Sequence, residues 1–285
     1  MKSMNVFSKV FVLATLWTVV FLGLAGYAGG KAFQQDPDLV QKVSDKYKVS
    51  IHMGGMSKKY GSKNYVETKN SWTFPATATE INLKSVSGNF SIKKTSGTEI
   101  VVTATGGLDV NRGPQLLETK QDGTTLTLQE PDNEATRGLE VNIEIPASLI
   151  GKFEVETLSG DVSFENLQAK ELTLKTVSGD MTLNQVTADI LAIAGVSADL
   201  KATNCDIKKV TGKTVSGDVE FSSQKPAGFD ITTVSGDIDM KLPKMENTKF
   251  DLSTTSGEIQ NAHGSAKTGT LEVKIYTTSG DIEIQ

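Results

Sequence analysis

The chain has 285 residues, 22% of them charged, and a formal net charge of −5. That length suits one domain with appendages better than two independent folds. Arginine occurs only as Arg112 and Arg137, so no basic stripe is present to track phosphates and nucleic acid is not an expected partner.

The first predicted element is a membrane segment. Lys2 and Lys9 precede nineteen uncharged residues, Val10 to Ala28, rich in Leu, Val and Phe. As a helix they span about 28 Å, close to the hydrocarbon thickness of a bilayer. The expectation is a single-pass signal anchor contacting membrane lipid through residues 10–28, with 1–9 as a short cytoplasmic head. A cleaved signal peptide ending near Gly26-Tyr27-Ala28 is the alternative and would give a secreted chain, although the apolar run exceeds a usual signal core of about 7–15 residues. Both readings carry everything that follows out of the cytoplasm.

Residues 29–71 are polar and lysine-rich and read as a stalk or linker. Asp36 followed by Pro37 marks a helix start, and Leu39, Val43 and Tyr47 share one face of a short helix. From Trp72, strand-like segments begin, at Glu80–Leu83, Val86–Ile92, Glu99–Ala104, Thr124–Leu128 and Leu139–Ile145. Their spacing is irregular, so 72–150 reads as an N-terminal cap on a repeat domain covering 72–285.

Residues 151–285 are regular. Ser-Gly-acid-apolar recurs at Ser159-Gly160-Asp161, Ser178-Gly179-Asp180, Ser216-Gly217-Asp218, Ser235-Gly236-Asp237, Ser256-Gly257-Glu258 and Ser279-Gly280-Asp281. Ser197-Ala198-Asp199 fills the gap, so the serines from 159 to 235 stand 19 residues apart, with later steps of 21 and 23. Aligned on the serine, apolar columns fall six and four residues before it and three and five after it. They run, for example, through Phe153, Leu172 and Leu191, and through Val162, Met181 and Leu200. Gly212 and Asn261 interrupt them. Period-two alternation is the pattern of strands with one buried face, and no helical spacing survives.

Short strands at a fixed period coil into a parallel β-solenoid, all-β and right-handed as parallel crossovers generally are. Nineteen residues give a contour of about 60 Å, enough for a two- or three-sided coil. One coil cannot bury its inner face, and seven can. Glycine would make the corner by adopting positive φ, and the aspartate would cap its own turn. Ala198 should show a strained or altered corner. Threonines two before the serine (Thr157, Thr176, Thr214, Thr233, Thr254, Thr277) share the inward phase and should form a hydroxyl ladder beside the core.

A structural role for the Ser-Gly-Asp motif leaves no catalytic, metal or cofactor residue assigned, and no cofactor is expected. The stacked carboxylates could alternatively bind Ca²⁺ through oxygen ligands, but the glycine-rich nonapeptide of calcium-binding β-rolls is absent. A polysaccharide hydrolase would need two carboxylates at a set separation, whereas many of these acids occupy turn positions. His52 and His263 sit in no catalytic motif. Cys205, the only cysteine, aligns with Leu167 and Val186 and reads as a buried small hydrophobe. The chain stops one residue past Ile284, which suggests a bare last coil: a possible site of self-association, unless Gln285 and the 260–270 loop shield it.

Val141-Asn142-Ile143-Glu144-Ile145-Pro146, then Phe153-Glu154-Val155-Glu156-Thr157-Leu158-Ser159-Gly160-Asp161 and the repeated Thr-Val-Ser-Gly-Asp, resemble the bacterial "putative adhesin" family of β-strand-repeat domains. With one N-terminal anchor the chain resembles its LiaG-type membrane proteins of Gram-positive bacteria. The resemblance implies an envelope location and an association with envelope-stress systems, and it supplies no catalytic residues. The expectation is therefore a non-enzymatic binding or scaffold module that displays rows such as Glu156, Lys175, Lys213 and Thr232 to an envelope polymer. The alternatives are a regulatory accessory partnering a membrane protein and an end-to-end self-assembling scaffold.

Overall fold

The computed structural model describes residues 65–285 except 110, 114, 132–134, 226 and 267–268. The expected head at 1–9, membrane helix at 10–28 and most of the stalk at 29–71 lie outside the described residues. Among those described there are strands and no helix.

Seven strands make the irregular part: β1 (Val66–Pro75), β2 (Glu80–Ser85), β3 (Asn89–Thr95), β4 (Glu99–Leu108), β5 (Glu118–Asp122), β6 (Thr125–Gln129) and β7 (Thr136–Pro146). Trp72 falls in the middle of β1, so strand structure begins six residues before it. Each later unit contributes one longer and one shorter strand. They are β8 (Lys152–Ser159) and β9 (Val162–Glu165), β10 (Gln168–Ser178) and β11 (Met181–Asn184), and β12 (Thr187–Ala194) and β13 (Leu200–Thr203). There follow β14 (Asp206–Lys213) and β15 (Val219–Ser222), then β16 (Gly228–Thr232) and β17 (Ile238–Lys241). The last two pairs are β18 (Thr248–Ser253) with β19 (Ile259–Asn261), and β20 (Leu271–Tyr276) with β21 (Ile282–Ile284).

The coil is two-sided. Long strands stack in one sheet of ten, ordered β18-β20-β16-β14-β12-β10-β8-β2-β6-β5. Short strands stack in a sheet of eleven, β1-β4-β7-β3-β9-β11-β13-β15-β17-β21-β19. Pairing between successive units is parallel and steps by the sequence period, Phe153 beside Leu172 and Leu172 beside Leu191. Inward residues of both sheets share one core, where Phe153 meets Phe164 and Phe221 meets Phe229 edge to face at 6.1 and 5.0 Å. Thr157, Thr176, Thr214, Thr233 and Thr277 are buried in the expected inward column.

Both ends of the stack depart from sequence order. β2 and β3 lie between the β8–β9 coil and the later β6–β7 coil, which antiparallel β4, β1 and β5 then cover. At the other end the final coil, β20–β21, is inserted between β16–β17 and β18–β19. The C-terminal coil is therefore not bare: Gln285 donates its N–H to Met240 and accepts from Leu242 within the ladder. Among the described residues the outermost coil is β18–β19, with no coil beyond it. Its apolar columns are accordingly the ones left partly exposed, Phe250 and Leu252 half-buried and Ile259 40% exposed. Residues 262–266 shield the β18 edge. The Ser265 hydroxyl accepts from Phe250 N–H and donates to its carbonyl, Ala266 N–H reaches Thr248, and the His263 ring stacks on Phe250.

Corner glycines hold the coils at contact. Gly217 and Gly236 have φ of 143° and 150°, and a β-carbon on either would run into the carbonyl oxygen of Ala198 or Gly217 in the coil beneath. Gly160 and Gly257 make the same close approach without positive φ, so contact with the adjacent backbone, more than handedness of φ, is what the column requires. Ala198 is accommodated without positive φ and with its methyl turned into the core. Replacing Gly217 or Gly236 by Ala should cost about 2–4 kcal/mol in denaturant unfolding, from backbone strain and overpacking together. Gly97→Ala, whose added carbon lies 3.5 Å from Thr95 in ordinary contact, should change stability by less than about 0.5 kcal/mol.

Candidate functional site

The Ser-Gly-Asp motif forms one edge of the stack, and each residue bonds to a different neighbour. Serine N–H donates to the preceding coil, as Ser216 to Val196 at 2.7 Å and Ser235 to Val215 at 2.9 Å. Glycine N–H donates onward, Gly217 to the Ser235 carbonyl and Gly236 to that of Ser279, both at 3.1 Å. The serine side chains point to solvent.

The aspartates do not cap their own turns. The Oδ1 atoms of five of them accept the backbone N–H of the equivalent acid in the adjacent coil: Asp180 donates to Asp161, Asp218 to Asp199, Asp237 to Asp218, Asp281 to Asp237 and Glu258 to Asp281, at 2.8–2.9 Å. Parallel stacking at about 4.8 Å places the next coil's donor within reach of each carboxylate, and the negative acceptor strengthens the bond. The ladder starts at Asn89, whose Oδ1 accepts from Asp161 at 2.9 Å while its amide donates to Glu140. Among the described residues the step from Asp199 N–H to Asp180 is missing, in the coil where Ala198 replaces glycine. Mutual repulsion of the column is thus offset by main-chain donors, and the edge reads as a seam. Among the described residues no group of three or more His, Cys, Asp or Glu could hold a metal.

A column of Asn and Gln residues marks a second seam. Asn166, Gln185 and Asn204, each seven residues past a serine, adopt φ of 53–54° and turn the chain back toward the long-strand sheet. Asparagine tolerates this left-handed conformation, so the Asn/Gln column was the signal. The next residues, Leu167, Val186 and Cys205, are fully buried. Burial pushes the Cys205 thiol pKa up, which disfavours the reactive thiolate.

Glu130 is the acid that sequence periodicity gave no means of finding. It is 5% exposed, in the segment leaving β6. Its Oε2 accepts from Ser85 Oγ at 2.6 Å, Val86 N–H at 2.7 Å and Ser87 N–H at 3.0 Å, and Oε1 accepts from the Thr136 hydroxyl. It closes the corner at Ser87-Gly88-Asn89. Burial raises its pKa, but the bonds from Ser85, Thr136, Ser87 and Val86 outweigh burial and hold it below 4.5.

The outward rows are laced by charge. Lys152–Glu171, Glu156–Lys175, Asp189–Lys208, Lys201–Glu220 and Asp206–Lys225 are ion pairs between residues 19 apart, so all five join one coil to the next in register. Glu156 also holds Lys84 at 3.1 Å, and Lys175 also holds Glu154. Burial lowers the Lys175 pKa, and its bonds to Glu154 and Glu156 more than reverse that. Of the four display residues expected, Glu156 and Lys175 are spent on each other, while Lys213 and Thr232 are neighbours on β14 and β16.

The family model described as Toastrack DUF4097 matches residues 78–285. The chain belongs to this family. Solved structures similar to this Toastrack domain include a "putative adhesin" from Bacteroides fragilis, at 14% identity and TM-score 0.49, covering 78% of this chain and 99% of that one. A "putative cell adhesion protein" from Clostridium sporogenes has 15% identity and TM-score 0.38 over 78% and 99%. A "putative lipid binding protein" from Parabacteroides distasonis has 13% identity and TM-score 0.45 over 77% and 96%. No curated protein matches the chain. Similarities this low say nothing about activity.

In this Toastrack domain Glu130 links acidity to the integrity of the N-terminal coils. Its folded pKa lies below the ordinary value, so its contribution is complete above about pH 4.5 and is lost as pH falls through the folded value. Glu130→Ala leaves buried donors unpaired and should cost about 2–3 kcal/mol at pH 7. Glu130→Gln should flatten the loss of wild-type stability below about pH 4.5. Urea unfolding at stepped pH measures both.

Proposed function

We propose that this Toastrack chain is a non-enzymatic envelope module, held to the membrane by residues 10–28 and presenting a right-handed coil stack outside it as a binding scaffold. What carries the reading is the use made of the motif that repeats most: its carboxylates accept main-chain N–H groups of adjacent coils. The buried acid Glu130 is likewise saturated by hydroxyl and main-chain donors. The bonds to Glu130 favour its ionised form, the opposite of what a general acid needs. The chemistry left over is on the outward faces, which are rigid because every coil is bonded to its neighbours and polar because strands alternate.

Such a module acts by presenting a flat, repetitive surface to an extended partner. Photo-crosslinkers placed at Thr173 and Thr211 on the outward face of the long-strand sheet, in intact cells, should capture an envelope component, and crosslinkers at corner residues Ser216 and Ser235 should capture much less. Equal capture from corners and face, or none from either, would contradict the reading. Protease added to intact wall-stripped cells should degrade the repeats if they lie outside the membrane.

A further inference from the structure

On the outward face of the long-strand sheet, most charges are engaged in ion pairs, many of them from coil to coil. Toward one end stand Lys84, Lys152, Glu154, Glu156, Glu171 and Lys175, all in ion pairs. Toward the other, Glu272 pairs with Lys249 and Lys274, and Asp251 accepts the Tyr276 hydroxyl at 2.7 Å. Between them β12 turns Ile190, Ala192 and Ala194 outward, with no charge and little bulk. On β14 the directly opposed residues are Lys209, Thr211 and Lys213. Both lysines are exposed, and among the described residues neither forms an ion pair. Of the acids beside them, Asp189, next to Ile190, pairs with Lys208, and Asp230 on β16 stands opposite Thr211 and Lys274.

The grid makes a trough. Ala192 lies between Thr173 and Thr211, and Ala194 between Lys175 and Lys213, so short side chains form a floor between longer ones. The walls are two strand spacings apart, about 9.6 Å. Ile190, 39% exposed, closes one end of the floor with an apolar surface. Lys209 and Lys213 stand four residues apart on one wall, about 13 Å.

We infer that this trough is a binding groove for an acidic polysaccharide strand, running along β12 with its sugar faces on Ile190 and the alanines and its carboxylates on Lys209 and Lys213. The inference rests on the binding-scaffold reading and assigns that scaffold its ligand class. Charge complementarity selects an anion, because Lys209 and Lys213 flank the floor and neither forms an ion pair among the described residues. An extended peptide is disfavoured, since central strands have their main-chain groups taken up in the ladder and offer no edge to augment. A lipid surface is disfavoured because the alanines lie between longer side chains, where a polymer chain can lie and a flat bilayer cannot reach, and Ile190 alone offers a bilayer little apolar area.

The test uses the full chain in detergent micelles with polygalacturonate as probe, its fully methyl-esterified form as the uncharged control, and phosphatidylglycerol vesicles as a third arm. Wild type should bind polygalacturonate, and K209Q/K213Q should weaken it at least tenfold. Ala192→Gln, which fills the floor without touching charge, should weaken it similarly with an unchanged melting temperature. Lys241→Gln, a cation on the opposite sheet, should leave it unchanged, and the methyl ester should bind wild type as poorly as the double variant binds the acid. Absence of wild-type binding, equal binding by K209Q/K213Q, or effects of these variants on vesicles alone would overturn the groove. If K209Q/K213Q retains in-cell capture through Thr173 and Thr211, the groove assignment fails while the scaffold reading stands; if wild type captures nothing, the scaffold reading itself fails.

Discussion

Everything in this stack depends on how closely two coils approach at the Ser-Gly-Asp edge. The glycine of one coil sits against the carbonyl of the glycine or alanine in the next, too close for a β-carbon at Gly217, Gly236 or Gly280. That contact brings the Asp N–H of one coil to the Asp carboxylate of its neighbour, and brings serine and glycine N–H groups to carbonyls on either side. Once the edge is closed, the apolar columns are in register and the threonines stack behind them. The period of 19 is the length of chain needed to leave this edge, pass through both sheets and return to it.

Much of this was legible. Columns six and four before the serine and three and five after it fall on buried residues throughout the interior coils, Ile193 being only partly buried, because a period-two pattern repeated at a fixed interval admits one stacking. What failed was spatial order. Phe250, Leu252 and Ile259 carry the same pattern as Val273, Ile275 and Ile282, so nothing in the columns says which coil is outermost. The chain places the earlier one outside and returns to insert the later one. β2 and β3 are inserted in the same way at the opposite end. The result is physically sensible: the C-terminal strand is flanked on both sides and cannot fray, and the exposed edge falls on a strand that a following loop can cover.

Glu130 was illegible for a related reason. The corner at Ser87 has no regular coil before it to receive its N–H groups, and the substitute acceptor lies more than forty residues on, in a segment outside the repeat. Repeat periodicity describes interior coils and is silent about devices that terminate them. The trough was legible only in hindsight. Ile190, Ala192 and Ala194 are unremarkable in sequence until register shows which charges flank them and which flanking charges are already paired.

The account's central claim is that the acidic column is a hydrogen-bonded seam and not a ligand site. Asn89 already serves as an uncharged acceptor at its head, so a neutral amide oxygen can fill the same place, with the negative charge adding a smaller increment. The direct measurement is urea unfolding of Asp218→Asn/Asp237→Asn beside Asp218→Ala/Asp237→Ala, with and without millimolar calcium. The account predicts that the asparagine pair stays within about 1 kcal/mol of wild type, that the alanine pair loses about 1–1.5 kcal/mol per site, and that calcium alters neither. Equal loss in both pairs, or calcium-dependent stability that either pair abolishes, would contradict it.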